Sequence, residues 1–212
     1  MARKTKSETQ KTIENILDAA QRVFVLKGVA HATMADIAHE AGISRGAIYG
    51  HYPDKIEVCL ASCTRAMASS AAILRACPTE LPLQTLHRWG MDYLKLIHSP
   101  TSLRSALEIL YLKCELSPEY EPLLKMRQAW EKKSWRATNG LIRRAVTEGQ
   151  LKADLDLDLS NTYLQSLLAG VSALLWYGGS SSAECWAKVE KLLSAGIDTL
   201  QSSPQFSGAK SA

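Results

Sequence analysis

Apolar residues recur along the chain at three- and four-residue spacing almost from end to end. Between Ser7 and Lys27 they fall at Ile13, Ile16, Leu17, Ala20 and Phe24, one face of a helix, and Gly28 supplies a stop. Thr33-Met-Ala-Asp36 has the pattern of a capping box, so a short helix starts there and runs to Ala41. Gly42 suits the left-handed residue that closes such a helix. Ser44 caps a third helix that must end by Pro53, and Asp54 caps a fourth that reaches about Ala76, with Ile56, Leu60 and Met67 on its apolar side.

The same spacing continues beyond "CPTELPL" at 77–83, which reads as a joint between domains. It predicts helices near Leu83–His98 and Ser102–Glu115. Ser117-Pro118-Glu119 then heads a long helix to about Glu148, closed by Gly149. Two more follow, near Asp158–Tyr177 and Ser182–Gln201, separated by Gly178-Gly179-Ser-Ser. The pair Asp156 and Asp158 suits a helix cap. No period-two alternation bounded by turn residues marks a strand. The fold class is therefore all-α, with about nine helices. The expected organisation is an arm at 1–9, an N-terminal domain at 10–70, a C-terminal domain at 77–202 and a frayed tail at 203–212.

Composition narrows the class. The 212 residues are 46% hydrophobic and 22% charged, which is globular. The longest apolar stretch, Leu164 to Tyr177, is interrupted by Gln165, Ser166 and Ser172, so no membrane span of ~18 residues is expected. The N-terminus is basic without a following apolar segment and does not read as a secretory signal. Five cysteines without C-x-x-C spacing argue against a disulfide framework or zinc site. A cytoplasmic protein with free thiols is expected, with no cofactor and no metal.

Charge is unevenly placed. In residues 1–11 Arg3, Lys4, Lys6 and Lys11 outweigh Glu8, a net of +3, while residues 12–60 carry four basic and six acidic side chains, a net of −2. Any contact with nucleic acid must come from a small, placed set of groups.

Such a set exists in "SRGAIYGHYPDK" at 44–55. The helix from Thr33, the turn at 41–44 and the helix from Arg45 form a helix-turn-helix candidate. Ile37, Ala38, Ile43, Ile48 and Tyr52 supply its packed side. Arg45, Gly46, Tyr49 and Gly50 share the opposite face. A merely solvated face would carry Glu, Lys or Gln. Here two side chains are removed, each at about 1 kcal/mol of helix stability, beside an arginine and a tyrosine. Two readings are open: an incidental glycine-rich hairpin, or a face cleared so that backbone can approach DNA. The second accounts for more of the residues. Arg45 would reach guanine edges or a phosphate and Tyr49 a phosphate, with the amides at Thr33 and the ammonium of Lys55 flanking them.

The stretch "ILDAAQRVFVLKGVAHATMADIAHEAGISRGAIYGHYPDKIEV" resembles the N-terminal domain of the TetR family of transcriptional regulators. "MARKTK" and "LEILYLKCE" at 107–115 are similar to its AcrR-like repressors of multidrug efflux operons. "SRGAIYGHY", "KIEVCLA" and "YLKCE…EPLL" are similar to repressors of the MexZ type. The resemblance implies a homodimeric repressor with two reading heads in successive major grooves of double-stranded operator DNA. It implies DNA contacts from Thr33, Ser44, Arg45, Gly46, Ala47, Tyr49, His51 and Lys55. Three positions depart from the family's pattern: Ile13 where arginine is usual, Gly50 where a large aromatic is common, and Pro53 where a polar residue is usual.

The C-terminal half carries the expected dimerisation and ligand functions. The helix near 158–177 is apolar nearly all round and must be covered on two sides. Either an ordinary monomeric core or a partner would do this; a four-helix bundle with a second copy is the favoured reading. The interface is expected at Leu164, Leu168, Val171, Leu175, Trp186, Val189, Leu193 and Ile197. Trp89, Tyr93, Leu110, Tyr111, Trp130 and Trp135 fall on helices that line the family's effector pocket. Aromatics at helical spacing also suit a plain core. A small hydrophobic inducer or an antirepressor protein would release the DNA.

Cys59 and Cys63 are four apart on one helix, which suits buried inert thiols better than a redox pair. His31, His39 and His51 fall on different elements and suit solvated or phosphate-facing positions. No nucleophile–base pair, phosphate loop or metal spacing supports an enzyme. A helical interaction module with weakened DNA binding is the alternative that Ile13 and Gly50 keep open.

Overall fold

The computed structural model describes residues 6–69, 80–178 and 182–207. Among the described residues the chain folds as α1 Lys6–His31, α2 Met34–Glu40, α3 Arg45–Tyr49, α4 Lys55–Ser69, α5 Pro82–His98, α6 Ser102–Leu112, α7 Glu121–Thr147, α8 Leu157–Gly178 and α9 Ala183–Ser202. Two 3₁₀ turns, Pro118–Tyr120 and Pro204–Phe206, complete the regular structure. The all-α expectation stands. The last part of the predicted fourth helix, to Ala76, and the start of the joint at 77–79 lie outside the described residues.

Packing passes from one compact unit to another between α4 and α5, but a later segment returns to the first. One compact unit gathers α1–α4 with residues 100–130; the other gathers α5, the remainder of α7, α8 and α9. The reason is visible in α6. Its Ala106, Ile109 and Leu110 are buried in the same core as Ile16, Phe24, Ile37, Ile48 and Val58 of α1–α4. The first unit therefore recruits a later segment to complete its interior.

Within this unit α1 is the spine. Gly28 interrupts it with φ 76° and ψ 162°, a conformation essentially closed to other residues. The expected stop is thus a kink, after which Val29–His31 make a further turn toward α2. Ion pairs tie the other helices to the spine. Arg65 of α4 meets both Glu14 and Asp18. Arg22 meets Glu40 at 2.6 Å and Lys27 meets Asp36 at 2.7 Å. Singly, such exposed pairs contribute ~0–1 kcal/mol, but together they fix where α2 and α4 lie along α1. Ile13 packs against the unit's core.

In the second unit α5 presents Leu83, Leu86, Trp89, Leu94 and Ile97 inward. Gly90 lies against Leu193 of α9, and Gly196 lies against Leu167 of α8, so these helices approach closely. A polar seam joins α7 and α8: Asn161 Nδ2 donates to the Trp135 carbonyl at 3.0 Å, and Gln165 Nε2 donates to the Ser134 and Thr138 hydroxyls at 3.3 and 3.1 Å. Asp156 caps α8 by accepting from the amides of Asp158 and Leu159. Ser182 caps α9 through the Cys185 amide.

The tail corrects an expectation. Phe206 is buried and rests on the Tyr163 ring, 5.2 Å between centroids, and its carbonyl accepts from the Asp156 amide at 2.7 Å. One aromatic anchor outweighs the Ser/Pro-rich composition through 207; residues 208–212 lie outside the described residues.

Gly28→Ala should cost ~1–3 kcal/mol, because alanine is strained at that φ and ψ. Gly140→Ala, with open space around it in α7, should instead stabilise by ~0.5–1 kcal/mol. Urea unfolding midpoints of the two variants, at an unchanged slope, check both signs.

Candidate nucleic-acid interface

The reading element is built by local rules. Thr33 Oγ1 accepts from the Asp36 amide at 3.1 Å, and Asp36 Oδ2 accepts from the Thr33 amide at 3.0 Å, a complete capping box. At the other end of α2, Asn15 Nδ2 donates to the Ala41 carbonyl at 2.6 Å. Gly42 then takes φ 66°, and the Ile43 amide returns to the Ala38 carbonyl at 3.0 Å, which closes the turn. Ser44 Oγ accepts from the Ala47 amide at 3.2 Å and starts α3. Ile48 is fully buried and holds α3 against the core.

What remains of α3 faces outward. Arg45, Gly46 and Gly50 are exposed, Ala47 and His51 are half-buried, and Tyr49 is 48% exposed. Among the described residues the Arg45 and Tyr49 side chains have no hydrogen-bond or ion-pair partner. The two glycines differ. Neither has positive φ. A Cβ on Gly46 would meet nothing closer than Ser44 Oγ at 4.0 Å, so no feature of the chain itself requires glycine there. A Cβ on Gly50, the C-cap of α3, would stand 3.3 Å from the Ala47 carbonyl oxygen. That oxygen belongs to the last turn of α3 itself, and Gly50 keeps helical φ and ψ, so neither glycine is required by its backbone conformation.

Thr33 gives both its hydroxyl proton and its amide to Asp36, whereas Ser44 Oγ only accepts in its cap and keeps its own O–H free to donate. The acidic residues that gave the head its net negative charge are mostly engaged. Glu14 and Asp18 face Arg65, Asp36 faces Lys27, Glu40 faces Arg22, and Asp54 Oδ1 accepts from the amides of Ile56 and Glu57 at 2.8 and 2.9 Å. They lie at contacts between helices, and Arg45 stands apart from them.

Lys55 departs from its expected place. Its ammonium turns inward and donates to the carbonyls of Val29 and Ala30, each at 2.9 Å. His31 and His39 are exposed on α1 and α2. Cys59 and Cys63 are buried; a hydrogen bond with Cys63, followed by burial, pushes the Cys59 thiol up from its ordinary range. That is the opposite of an activated thiol.

The six aromatic and apolar residues expected at a ligand site divide between the units. Leu110 is core of the first unit, and Tyr111 lies beneath the Arg127 guanidinium, 5.5 Å from the ring centroid. Trp130 is half-buried in the same unit. Trp89 is buried in the second unit, Trp135 is half-buried, and burial raises the Tyr93 hydroxyl's pKa against a hydrogen bond with Ser172.

The expected partner surface needs a larger correction. Leu164, Val171, Leu175, Val189, Leu193 and Ile197 are buried in the folded chain, and Leu168 and Trp186 are half-buried, Trp186 edge-on to His98. Among the described residues of α8 and α9, the large apolar side chains left exposed are Leu159 at 44%, Leu174 at 68%, Tyr177 at 76% and Leu192 at 45%, with Ala169 and Gly170 also exposed. On a helix apolar all round, sequence could not say which face the chain itself would cover. The polar seam decides it, because Asn161 and Gln165 turn toward α7.

The comparisons with known proteins agree with this architecture. Residues 16–61 match the family model described as bacterial regulatory proteins, tetR family, and residues 81–201 match that of the MAATS-type transcriptional repressor, C-terminal region. The crystal structure of MexZ, described as a key repressor responsible for antibiotic resistance in Pseudomonas aeruginosa, superposes with a TM-score of 0.86 at 46% identity, covering 94% of this chain and 100% of that one. The transcriptional regulator TtgR of Pseudomonas putida is 31% identical over 96% of this chain and 98% of its own. SmeT, described as the repressor of the Stenotrophomonas maltophilia multidrug efflux pump SmeDEF, superposes in its triclosan complex with a TM-score of 0.76 at 25% identity, covering 95% and 97% of the two chains.

The capping box carries a pH signature. Hydrogen bonds from Lys27 and then Thr33 hold the Asp36 carboxyl at about 2, below its ordinary 3.8. A carboxylate lowered on folding stabilises the folded chain above its unfolded pKa and loses that contribution as pH falls toward the folded value. The melting temperature of Asp36→Asn should lie below wild type at pH 6, and the gap should narrow between about pH 4 and about pH 2. Paired thermal melts across that window check it.

Proposed function

The chain belongs to the TetR family of bacterial transcriptional regulators, and on that footing we propose that it represses a multidrug efflux operon by binding its operator. One observation carries the DNA-facing assignment. Gly46 sits in ordinary helical conformation in open space, beside an unpartnered Arg45 and Tyr49. A helix that gives up stability without internal need leaves room for another body, and backbone-close approach to a duplex fits that room.

On this reading Arg45 reads a base edge, with Gly46 and Ala47 lying against the groove floor. Tyr49 and His51 contact the backbone, and the starts of α2 and α3 at Thr33 and Ser44 abut phosphates. Similarity to efflux-pump repressors such as SmeT, and to MexZ, supports the operon class.

Two such heads require a dimer, because successive major grooves on one face lie about 34 Å apart. The exposed Leu174 and Tyr177 of α8 and Leu192 of α9 form the surface that a second copy would cover. Ala169 and Gly170 allow close helix approach there. A small hydrophobic ligand, taken up by the second unit near Trp89 and Tyr93, or an antirepressor protein would favour the form with mismatched heads. It would weaken operator binding by the same coupling energy that DNA imposes on it. The triclosan complex of SmeT makes the small aromatic ligand the preferred inducer class.

Selection of bound fragments from the source genome, followed by gel shift, tests the repressor reading; absence of sequence-specific retardation at low salt would sink it in favour of an interaction module. Gly46→Ala should raise helix stability by ~0.5–1 kcal/mol while weakening operator binding about tenfold, ~1.4 kcal/mol; an equal or stronger affinity removes the cleared-face argument. Arg45→Ala should cost ~1–3 kcal/mol and relax preference at one base pair. Leu174→Glu with Leu192→Glu should yield monomers by light scattering and lose operator affinity in parallel.

A further inference from the structure

Three elements of the first unit meet at the turn that launches α2. The kink at Gly28 frees the Val29 amide from the regular helix, and because α1 ends at His31 the Val29 and Ala30 carbonyls fall in its unpartnered last turn. The Val29 amide donates to the Lys113 carbonyl, the C-cap of α6, at 2.9 Å. The Val29 and Ala30 carbonyls accept from Lys55 Nζ at 2.9 Å each. The same ammonium lies 6.0 Å from the ring centroid of the buried Tyr120. The turn is therefore held on its amide side by α6 and on its carbonyl side by the first residue of α4.

The start of α4 is also closed to an anion. Asp54 Oδ1 already accepts from the Ile56 and Glu57 amides, so the groups that would cradle a phosphate are taken by a carboxylate. An ammonium at a helix end commonly satisfies the last carbonyls. Leaving them for a phosphate would strand two carbonyls that have lost their regular helical partners.

We propose that Lys55 is a positioning residue of the reading head, which sets the start of α2 against residues 100–130, and that it is not a phosphate ligand. The proposal rests on the DNA-binding reading for its functional consequence. Loss of the ammonium releases the Val29–Ala32 turn, so α2 and α3 sample wrong orientations and the operator selects a smaller competent fraction. Because no phosphate contact is lost, the number of counterions released on binding stays the same.

The test is a salt titration of operator affinity by fluorescence anisotropy, on wild type, Lys55→Met, Lys55→Gln and Lys55→Arg. Lys55→Met and the milder Lys55→Gln should lose about tenfold or more at every salt concentration, with the slope of log K against log salt parallel to wild type. Lys55→Arg, which keeps two donors for the carbonyls, should recover most of the loss. A slope shallower by about 0.9 identifies a lost phosphate contact and overturns the proposal. So does unchanged affinity in both neutral variants.

Amide hydrogen exchange in the absence of DNA is the second arm. The Val29 and Ala32 amides should exchange about tenfold faster in Lys55→Gln than in wild type. Unchanged exchange there means that no clamp exists, whatever the DNA result. If wild type binds no duplex, the repressor reading fails, and the exchange arm alone decides the clamp.

Discussion

A reading helix of five residues is too short to be helical by itself. Forming the first turn fixes several dihedrals for one hydrogen bond, and isolated helices below ~12 residues are marginal in water. α3 spans only Arg45–Tyr49, so its existence depends on what surrounds it. Ile48 anchors one side in the core, Ser44 satisfies the first turn, and the closed turn at Gly42 sets its direction. The rest of the first unit is a mounting for this element. α1 and α4 are long enough to propagate, and their ion pairs and shared core keep the mounting rigid.

The mounting explains a charge pattern that is otherwise unfavourable for DNA. A net negative head would be repelled from phosphate if its acids lay on the reading face. All but Glu57 lie instead at the contacts of α1 with α2 and α4, or inside helix caps. Negative charge there serves orientation, and the uncompensated arginine is kept for the outward face. Net charge of a domain is thus a poor guide to its partner when opposite charges are spent internally.

Features encoded within a few residues were legible in the sequence. The capping box at Thr33 and Asp36, the left-handed Gly42, the Ser44 cap and the Asp156 cap each need only local chemistry. Features that depend on distant partners were not. Nothing near Lys55 in sequence announces the Val29 and Ala30 carbonyls, and nothing in α6 announces that it completes the core of the first unit. The burial of Leu164, Val171 and Leu175 within the chain follows from a polar seam with α7 that only tertiary contact reveals. Phe206 shows the same limit from the other side, since composition favoured a frayed tail and one aromatic contact docked it.

The two glycines of "SRGAIYGHY" show how structure separates residues that sequence groups together. Both cost helix stability and both lie on the outward face. Gly50 ends α3, where a Cβ would crowd the Ala47 carbonyl oxygen at 3.3 Å. That oxygen belongs to the last turn of α3, and Gly50 sits at the helix end with helical φ and ψ, shortly before Pro53. Gly46 has ordinary dihedrals and 4.0 Å of clearance. No neighbouring side chain of the described residues requires glycine there, and that clearance is what the proposed DNA contact uses. The proposed reading of this helix therefore rests on Gly46 with its neighbours Arg45 and Tyr49, and Gly50, at the helix end, is not needed for it.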